Sequence, residues 1–347
     1  MKKIPVAVLG ATGSVGQKFI ELLQGHPWFE IVALAASERS AGKPYGEVVN
    51  WVSDMPLPAA IAGMTVRECK PGLPGRVAFS GLDASVAGEM ETAFARAGYA
   101  VVSNAKNHRM KADVPLLVPE INSDHLALVK RQSGGKGFII TNPNCSTVGL
   151  ALALKPLDDA FGLEAVQVVT MQALSGAGYP GVPALDILDN VLPFIAGEEE
   201  KLQSEPLKIL GRFNGMQIEN QKISISAQCN RVAVRDAHLE SVSVKLKKSV
   251  KSGELIEVWR NFSSGKDVQD LPFAPEKAVV YGDAPNFPQP HLHRMLGKGM
   301  TVSVGRLKSC PVLDYRFVLL VHNTIRGAAG GAILNAELLY KKGYLDV

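Results

Sequence analysis

A chain of 347 residues is longer than one ordinary hydrophobic core organises and suits two domains. Its 46% hydrophobic and 20% charged residues supply core material in the usual globular proportion. A net charge of +4, with no long basic tract and no interleaved aromatic platform, argues against a nucleic-acid partner.

The chain opens with "IPVAVLG", a branched, apolar run read as a buried strand. The run is too short for a signal peptide, and glycines follow it at once. "SVGQKFIELLQGH" then shows helical spacing at Val15, Phe19, Leu22 and Leu23 and stops at Gly25. "FEIVALAAS", "RVAFSG" and "YAVVSN" continue as strands, with a helical "ASVAGEMETAFARAG" before the last. This strand–helix alternation predicts a parallel sheet covered by helices, running to about "GFIITNPN".

Beyond that point the pattern changes. "LEAVQVVTMQAL", "GMQIENQKISISAQCNRVAV", "LESVSVKLKK" and "YRFVLLVHN" read as long strands of a mostly antiparallel sheet. Residues 186–195 and "EEEKLQSEPLKIL" read as helices, with Pro206 expected to bend or end a turn. The alanine-rich "NTIRGAAGGAILNAELLYKKGY" returns to a helical pattern that suits packing on the first domain. The expectation is an α/β chain: a Rossmann-type dinucleotide-binding domain plus an α+β domain on a mostly antiparallel sheet. The division expected is 1–144 with 323–347, and 145–322. No apolar run approaches the roughly 20 residues of a membrane helix.

"GATGSVG", residues 10–16, sits between the first strand and first helix. Glycines there allow a tight turn and close backbone approach, and the N–H groups of the helix start can hold a pyrophosphate. Gly10, Thr12, Gly13, Ser14 and Val15 are the candidate cofactor residues. The second strand ends in "SERS", where Ser37, Arg39 and Ser40 suit a 2′-phosphate, although Glu38 lies among them. NADP is therefore favoured over NAD.

Four cysteines lie far apart, with no C-x-x-C pair and no disulfide framework, which fits a reducing cytoplasm. "NPNCST" places Cys145 at the start of a helical run, where the dipole favours a thiolate. Taken alone, the position also suits a buried core cysteine. "CNRVAVRDAHLESV" supplies His238, which could exchange a proton with a thiol, and Arg231, which could grip a carboxylate. His291 and His293 form an H-x-H pair without a carboxylate or thiol nearby and are not read as a metal site.

"GATGSVG", "SNAKNHRM", "NPNCST", "QALSGAGYPG", "SEPLKILG", "CNRVAVRDAH" and "NTIRGAAGGAILNAELL" follow one another as in the aspartate-β-semialdehyde dehydrogenases. Over essentially its whole length the chain resembles the archaeal and fungal-type branch of that family. The resemblance implies an acyl-thioester on Cys145, with His238 as acid/base and Gln172 orienting the acyl group. It implies Arg231 on the substrate α-carboxylate, Glu205 on its amino group, and Lys208, Arg109 and Asn144 at the departing phosphate. Ser175, Gly176 and Asn323 would lie against the cofactor, and the second domain would build a homodimer or homotetramer. Taken alone, Glu205 and Lys208 read as a surface helix pair. The related branch often has proline and glycine where this chain has Ala233 and Ala237. Three competitors share parts of this pattern. They are an N-acetyl-γ-glutamyl-phosphate reductase, an acyl-CoA reductase such as one acting on malonyl-CoA, and a silent NADP-binding sensor. Neither reductase needs Glu205 for an amine, and the sensor needs neither Cys145 nor His238.

Overall fold

The computed structural model describes residues 3–345, so the outermost residues of the expected first domain (1, 2, 346 and 347) lie outside the described residues. Two compact units emerge. The first takes the chain up to Leu117, Asp124–Asn142 and the chain from Ala328. The second takes Val118–Ser123 and Pro143–Gly327.

The first unit is built on six strands: β1 (Ile4–Leu9), β2 (Phe29–Ala36), β3 (Arg67–Glu68), β4 (Val77–Ser80), β5 (Ala100–Ser103) and β6 (Phe138–Thr141). Every pairing is parallel, in the order β3-β2-β1-β4-β5-β6. The apolar runs predicted this, because a sheet covered on both faces needs strands apolar on both faces. Ala7, Leu9, Ala35, Ala78, Val101 and Ile139 pack in one core with Phe94. The order reverses at β1/β4, and α1 (Ser14–Leu22) starts just beyond β1. Helix α2 (Ala84–Arg96) is capped by Asp83, whose carboxylate accepts from the Ser85 N–H at 2.9 Å.

The second unit carries α3 (Cys145–Phe161), β7 (Leu163–Gln172), α4 (Glu198–Ile209), a short ribbon of β8 (Arg212–Phe213) and β9 (Ile218–Glu219), β10 (Ser224–Arg231), β11 (His238–Leu246), α5 (Ser252–Arg260), β12 (Val279–Gly282), β13 (Val302–Ser309) and β14 (Tyr315–Val321). Its six-stranded sheet has the order β10-β7-β11-β14-β13-β12. Three of its five pairings are antiparallel, while β10–β7 and β12–β13 are parallel. The buried indole of Trp259 on α5 donates to the Ala153 carbonyl at 2.8 Å and meets the Phe317 ring edge-on. Glu120 explains why the short 118–123 segment belongs to this unit. It takes two 2.6 Å hydrogen bonds from Arg326, and both side chains are buried.

Three local expectations are corrected. Residues 186–195 do not form a helix; only Ala184–Ile187 coil, Asp189 takes a φ of 56°, and Leu188, Val191 and Phe194 stay exposed. With no apolar stripe buried, helical spacing alone does not hold a helix together. Pro206 neither ends nor interrupts α4, which runs through it to Ile209. The long "GMQIENQKISISAQCNRVAV" run divides into β9 and β10, with Asn220–Ile223 outside both. The final helix, α6 (Gly330–Lys341), lies in the first unit, where the Glu337 carboxylate reaches His26 Nε2 at 2.8 Å.

Candidate active site

Cys145 is the first residue of α3, and Asn144 is its cap. The Asn144 Oδ1 accepts from the N–H groups of Ser146 and Thr147 at 3.0 and 3.2 Å. This ties off two of the helix's open donors and fixes the turn that carries the thiol. Cys145 is half-buried, and a Cβ on Gly327 would come within 2.6 Å of its Cβ, so only glycine fits against it there. Strand β6 leads into this turn, as the "GFIIT" run predicts.

His238 opens β11, and its Nε2 stands 3.1 Å from Cys145 Sγ across 93 residues of chain. The Ala173 N–H donates to Nδ1 at 3.0 Å. An amide can only donate, so the proton of the neutral ring sits on Nε2, facing the sulfur. Complete burial, reinforced by the nearby Arg231 charge, pushes the His238 pKa down to about 3. The ring is therefore neutral at physiological pH. Arg231, at the end of β10, is buried and donates to the Ala173 carbonyl at 2.7 Å. A Cβ on Gly176 would lie 2.9 Å from Arg231 Nη1 and 3.1 Å from the His238 ring. Asn323 accepts from the Ala237 N–H at 2.8 Å and donates to Ser175 Oγ at 2.9 Å, bracing the residue before the histidine.

Ala237 holds a φ of 80°, a conformation that glycine adopts freely and other residues do not. An L-residue pays roughly 1–2 kcal/mol there. Glycine also frees the unfolded chain, which takes back about 0.4–1 kcal/mol. Ala237→Gly is therefore expected to stabilise the protein by about 0.5–1 kcal/mol, read as a higher urea midpoint at unchanged slope. An unchanged or lowered midpoint would refute the strain.

Glu205 and Lys208 on α4 are both buried, so they are not a surface pair. Glu205 accepts from the Asn144 N–H at 2.7 Å. Gln172 ends β7, and its Nε2 donates to Thr170 Oγ1 at 3.3 Å. Two further carboxyl groups went unread in the sequence. Glu198, the first residue of α4, accepts from Asn144 Nδ2 at 2.8 Å, from Gln172 Nε2 at 3.2 Å and from Lys201 at 2.5 Å. Burial alone would raise its pKa. The Lys201 charge and these hydrogen bonds outweigh that and hold it below the usual carboxylate value. Its position in "EEEK" gave only the signal of a solvated helix start.

Glu240 lies two residues beyond His238 on the same face of β11, fully buried, with neither oxygen hydrogen-bonded. Strand alternation through Val242 and Val244 carried the signal that it faces inward. Burial, with the Glu198 charge adding to it, raises its pKa well above the usual value. The folded chain keeps this proton at pH values where the unfolded chain has lost it. Stability therefore falls as pH rises from about 4.3 toward the folded pKa, by at most about 1.4 kcal/mol per unit. Glu240→Gln removes that slope. Its gain in thermal midpoint over the parent is expected to grow between about pH 5 and about pH 8; a constant difference would contradict a protonated Glu240.

The remaining candidates belong to the first unit. Helix α1 begins behind Gly13, and no side chain caps its first turn. Gly10 has a φ of 72°, and a Cβ on Gly16 would lie 2.2 Å from the Gly10 carbonyl oxygen. This is a cradle that side chains would fill, and it fits a dinucleotide pyrophosphate between Gly10 and Val15. Thr12 and Ser14 are half-buried in the same turn. Ser37 and Arg39 are exposed in the turn after β2, and the Ser40 N–H closes that turn on the Ser37 carbonyl at 2.9 Å. Arg109 is buried and donates to the Asn104 carbonyl at 2.7 Å. Among the described residues no group of His, Cys, Asp and Glu could hold a metal ion, and no helix is long and apolar enough to cross a membrane.

A dinucleotide-type parallel sheet in one unit and a helix-borne thiol beside a neutral histidine in the other suit a dehydrogenase that works through a thiol. Residues 5–129 match the family described as semialdehyde dehydrogenase, NAD binding domain, and residues 154–326 match semialdehyde dehydrogenase, dimerisation domain. The chain is 49% identical over 341 residues to an aspartate-semialdehyde dehydrogenase of Archaeoglobus fulgidus, covering 97% of this chain and 98% of that one. It is 48% identical over 353 residues to the Schizosaccharomyces pombe enzyme of the same name, covering 98% and 99%. The crystal structure of the Candida albicans aspartate-semialdehyde dehydrogenase with NADP superposes with a TM-score of 0.91 at 44% identity, covering 99% of this chain and all of that one. This chain belongs to the aspartate-semialdehyde dehydrogenase family.

Proposed function

We propose that the protein reduces L-aspartyl-4-phosphate to L-aspartate-4-semialdehyde with NADPH and releases phosphate, a step in lysine, methionine and threonine biosynthesis. The observation that carries this reading is the 3.1 Å contact between Cys145 Sγ and His238 Nε2 at a helix N-terminus. The named relatives support the substrate, and the Candida albicans complex supports NADP.

Cys145 Sγ attacks the acyl carbon; a C–S bond forms, the C–O bond to phosphate breaks, and the electron pair leaves with the phosphate. The helix N-terminus stabilises the sulfur as an anion. The Nε2 proton of His238 donates to that anion, since Nδ1 is engaged by Ala173. When bound, the dinucleotide supplies the hydride that reduces the thioester. The C–S bond of the reduced, tetrahedral carbon then breaks, its electron pair returns to Cys145 Sγ, the Nε2–H of His238 donates to that sulfur, and the aldehyde departs. Arg231 is assigned to the substrate α-carboxylate and Glu205 to its ammonium. Lys208, Arg109 and Asn144 are assigned to the phosphate, and Gln172 to the acyl group. Gly10, Thr12, Gly13, Ser14, Val15, Ser37, Arg39, Ser40, Ser175, Gly176 and Asn323 are assigned to NADP. Residues 1–144 with 323–347 would form the cofactor domain and 145–322 the catalytic and dimerisation domain.

The matched dimerisation family supports a homo-oligomer, a dimer or a tetramer, as do the exposed Tyr179, Leu185, Leu188 and Phe194. We place the protein in the cytoplasm, in keeping with four cysteines outside any disulfide.

The discriminating experiment offers purified protein three substrates side by side: L-aspartate-4-semialdehyde, N-acetyl-L-glutamate-5-semialdehyde and malonyl-CoA. Preference for the first supports a free-amine reader. Preference for either other substrate would replace this reading with the corresponding competitor.

A further inference from the structure

We propose that Glu198 is a positioning residue of this reaction, setting the orientation of the two amides that flank Cys145. The inference rests on the thioester reading above and deepens it. One Glu198 oxygen, Oε2, receives both Asn144 Nδ2 and Gln172 Nε2, at 2.8 and 3.2 Å. The other receives Lys201. A carboxylate held ionised can only accept, so both amides must turn their NH2 ends toward it.

Two consequences follow. Asn144 spends its oxygen on the α3 cap and one N–H on Glu198, leaving its second N–H toward Cys145 Sγ, 3.9 Å from Nδ2. Gln172 spends its NH2 on Glu198 and Thr170, so the end it offers a substrate is its carbonyl oxygen. Gln172 therefore accepts a hydrogen bond from the substrate, such as that of an ammonium or a hemithioacetal hydroxyl. The amide N–H that faces the Cys145 sulfur comes from Asn144. The helix cap holds the Asn144 oxygen in place as well, but without Glu198 the Gln172 amide could rotate and offer its NH2 instead.

The test compares Glu198→Met, which removes every acceptor, with Glu198→Gln, whose Oε1 can still accept from both amides, and with Glu198→Asp, which keeps the charge but loses reach. The methionine variant is expected to lose about 10–100-fold in kcat, with a smaller change in KM, while its thermal midpoint and NADP binding stay near the parent. The glutamine variant is expected to recover most of that loss. Combining Glu198→Met with Gln172→Ala should cost much less than the product of the two single losses, because both act through one amide. Additive losses, or a methionine variant with parental kcat, would overturn the proposal. If the methionine variant does not fold, the same cycle is run with Glu198→Asp. A readout independent of turnover is hydrogen exchange of the 15N-labelled side-chain amides. The Asn144 and Gln172 NH2 signals should be protected in the parent and exchange rapidly in Glu198→Met or Glu198→Asp. Unprotected signals in the parent would refute the proposal even if the protein accepted none of the substrates offered.

Discussion

Replacing Cys145 by alanine is expected to lower phosphate-dependent turnover with L-aspartate-4-semialdehyde by on the order of 10⁴-fold or more. The covalent route runs through the sulfur itself. Side chains within reach of it include an amide at 3.9 Å and a neutral imidazole at 3.1 Å. Half-buried and packed on Gly327, the thiol contributes little to the core, so the alanine variant should keep its thermal midpoint and its affinity for NADP. Cys145→Ser should be nearly as inactive, because the protonated Nε2 of His238 offers a hydroxyl there no lone pair to take its proton. Mass spectrometry of the parent mixed with aspartyl phosphate, without NADPH, should find the acyl group on the peptide bearing Cys145. Retained turnover in Cys145→Ala would remove the thiol from the mechanism.

The second large effect concerns His238, and the choice of replacement matters. Asparagine can place an oxygen where Nδ1 stood, keeping the Ala173 N–H satisfied while removing the group that faces the sulfur. His238→Asn should therefore lose about 10²–10⁴-fold in kcat with only modest change in stability. Glutamine reaches closer to the Nε2 position and restores a donor, but it gives up the Ala173 N–H that holds the imidazole in place. His238→Gln should hold the parental KM and remain slow. Because burial and Arg231 hold the ring neutral, its pKa near 3, the parent's rate should show no histidine ionisation between about pH 5 and about pH 8. A His238→Gln variant with parental kcat would show that any donor facing the sulfur suffices and that the Ala173 anchor contributes nothing.

Much of this arrangement was legible in the sequence because its determinants are local. The glycine loop announces itself by residue type alone, since only glycine tolerates the 72° φ at position 10 and the contact at position 16. Cys145 could be placed at a helix start because a helical apolar run follows it; the Asn144 cap became visible only in the fold. Strands apolar on both faces marked the parallel sheet for the same reason. What failed to read depends on burial set from a distance. Glu205 and Lys208 have the spacing of a solvated pair, yet α4 lies where both are covered. Glu198 sits in an acidic run that a helix dipole alone would explain, and its meeting with Asn144 and Gln172 exists only once three separate elements converge. The 186–195 stretch shows the converse. Its periodicity suggested a helix, but Leu188, Val191 and Phe194 stay exposed, and the Leu192 backbone pairs with Arg231 at the end of β10 instead. Glu240 was within reach of the sequence, since alternation from His238 to Val244 turns it inward.

The most direct test of the central claim is the absorbance of NADPH formed by the purified parent protein from NADP and L-aspartate-4-semialdehyde, with and without inorganic phosphate. Thioester chemistry with a phosphate leaving group, run in reverse, predicts NADPH formation that depends on phosphate and produces aspartyl phosphate. NADPH formation at the same rate without phosphate, or none in a folded protein that binds NADP, would contradict it.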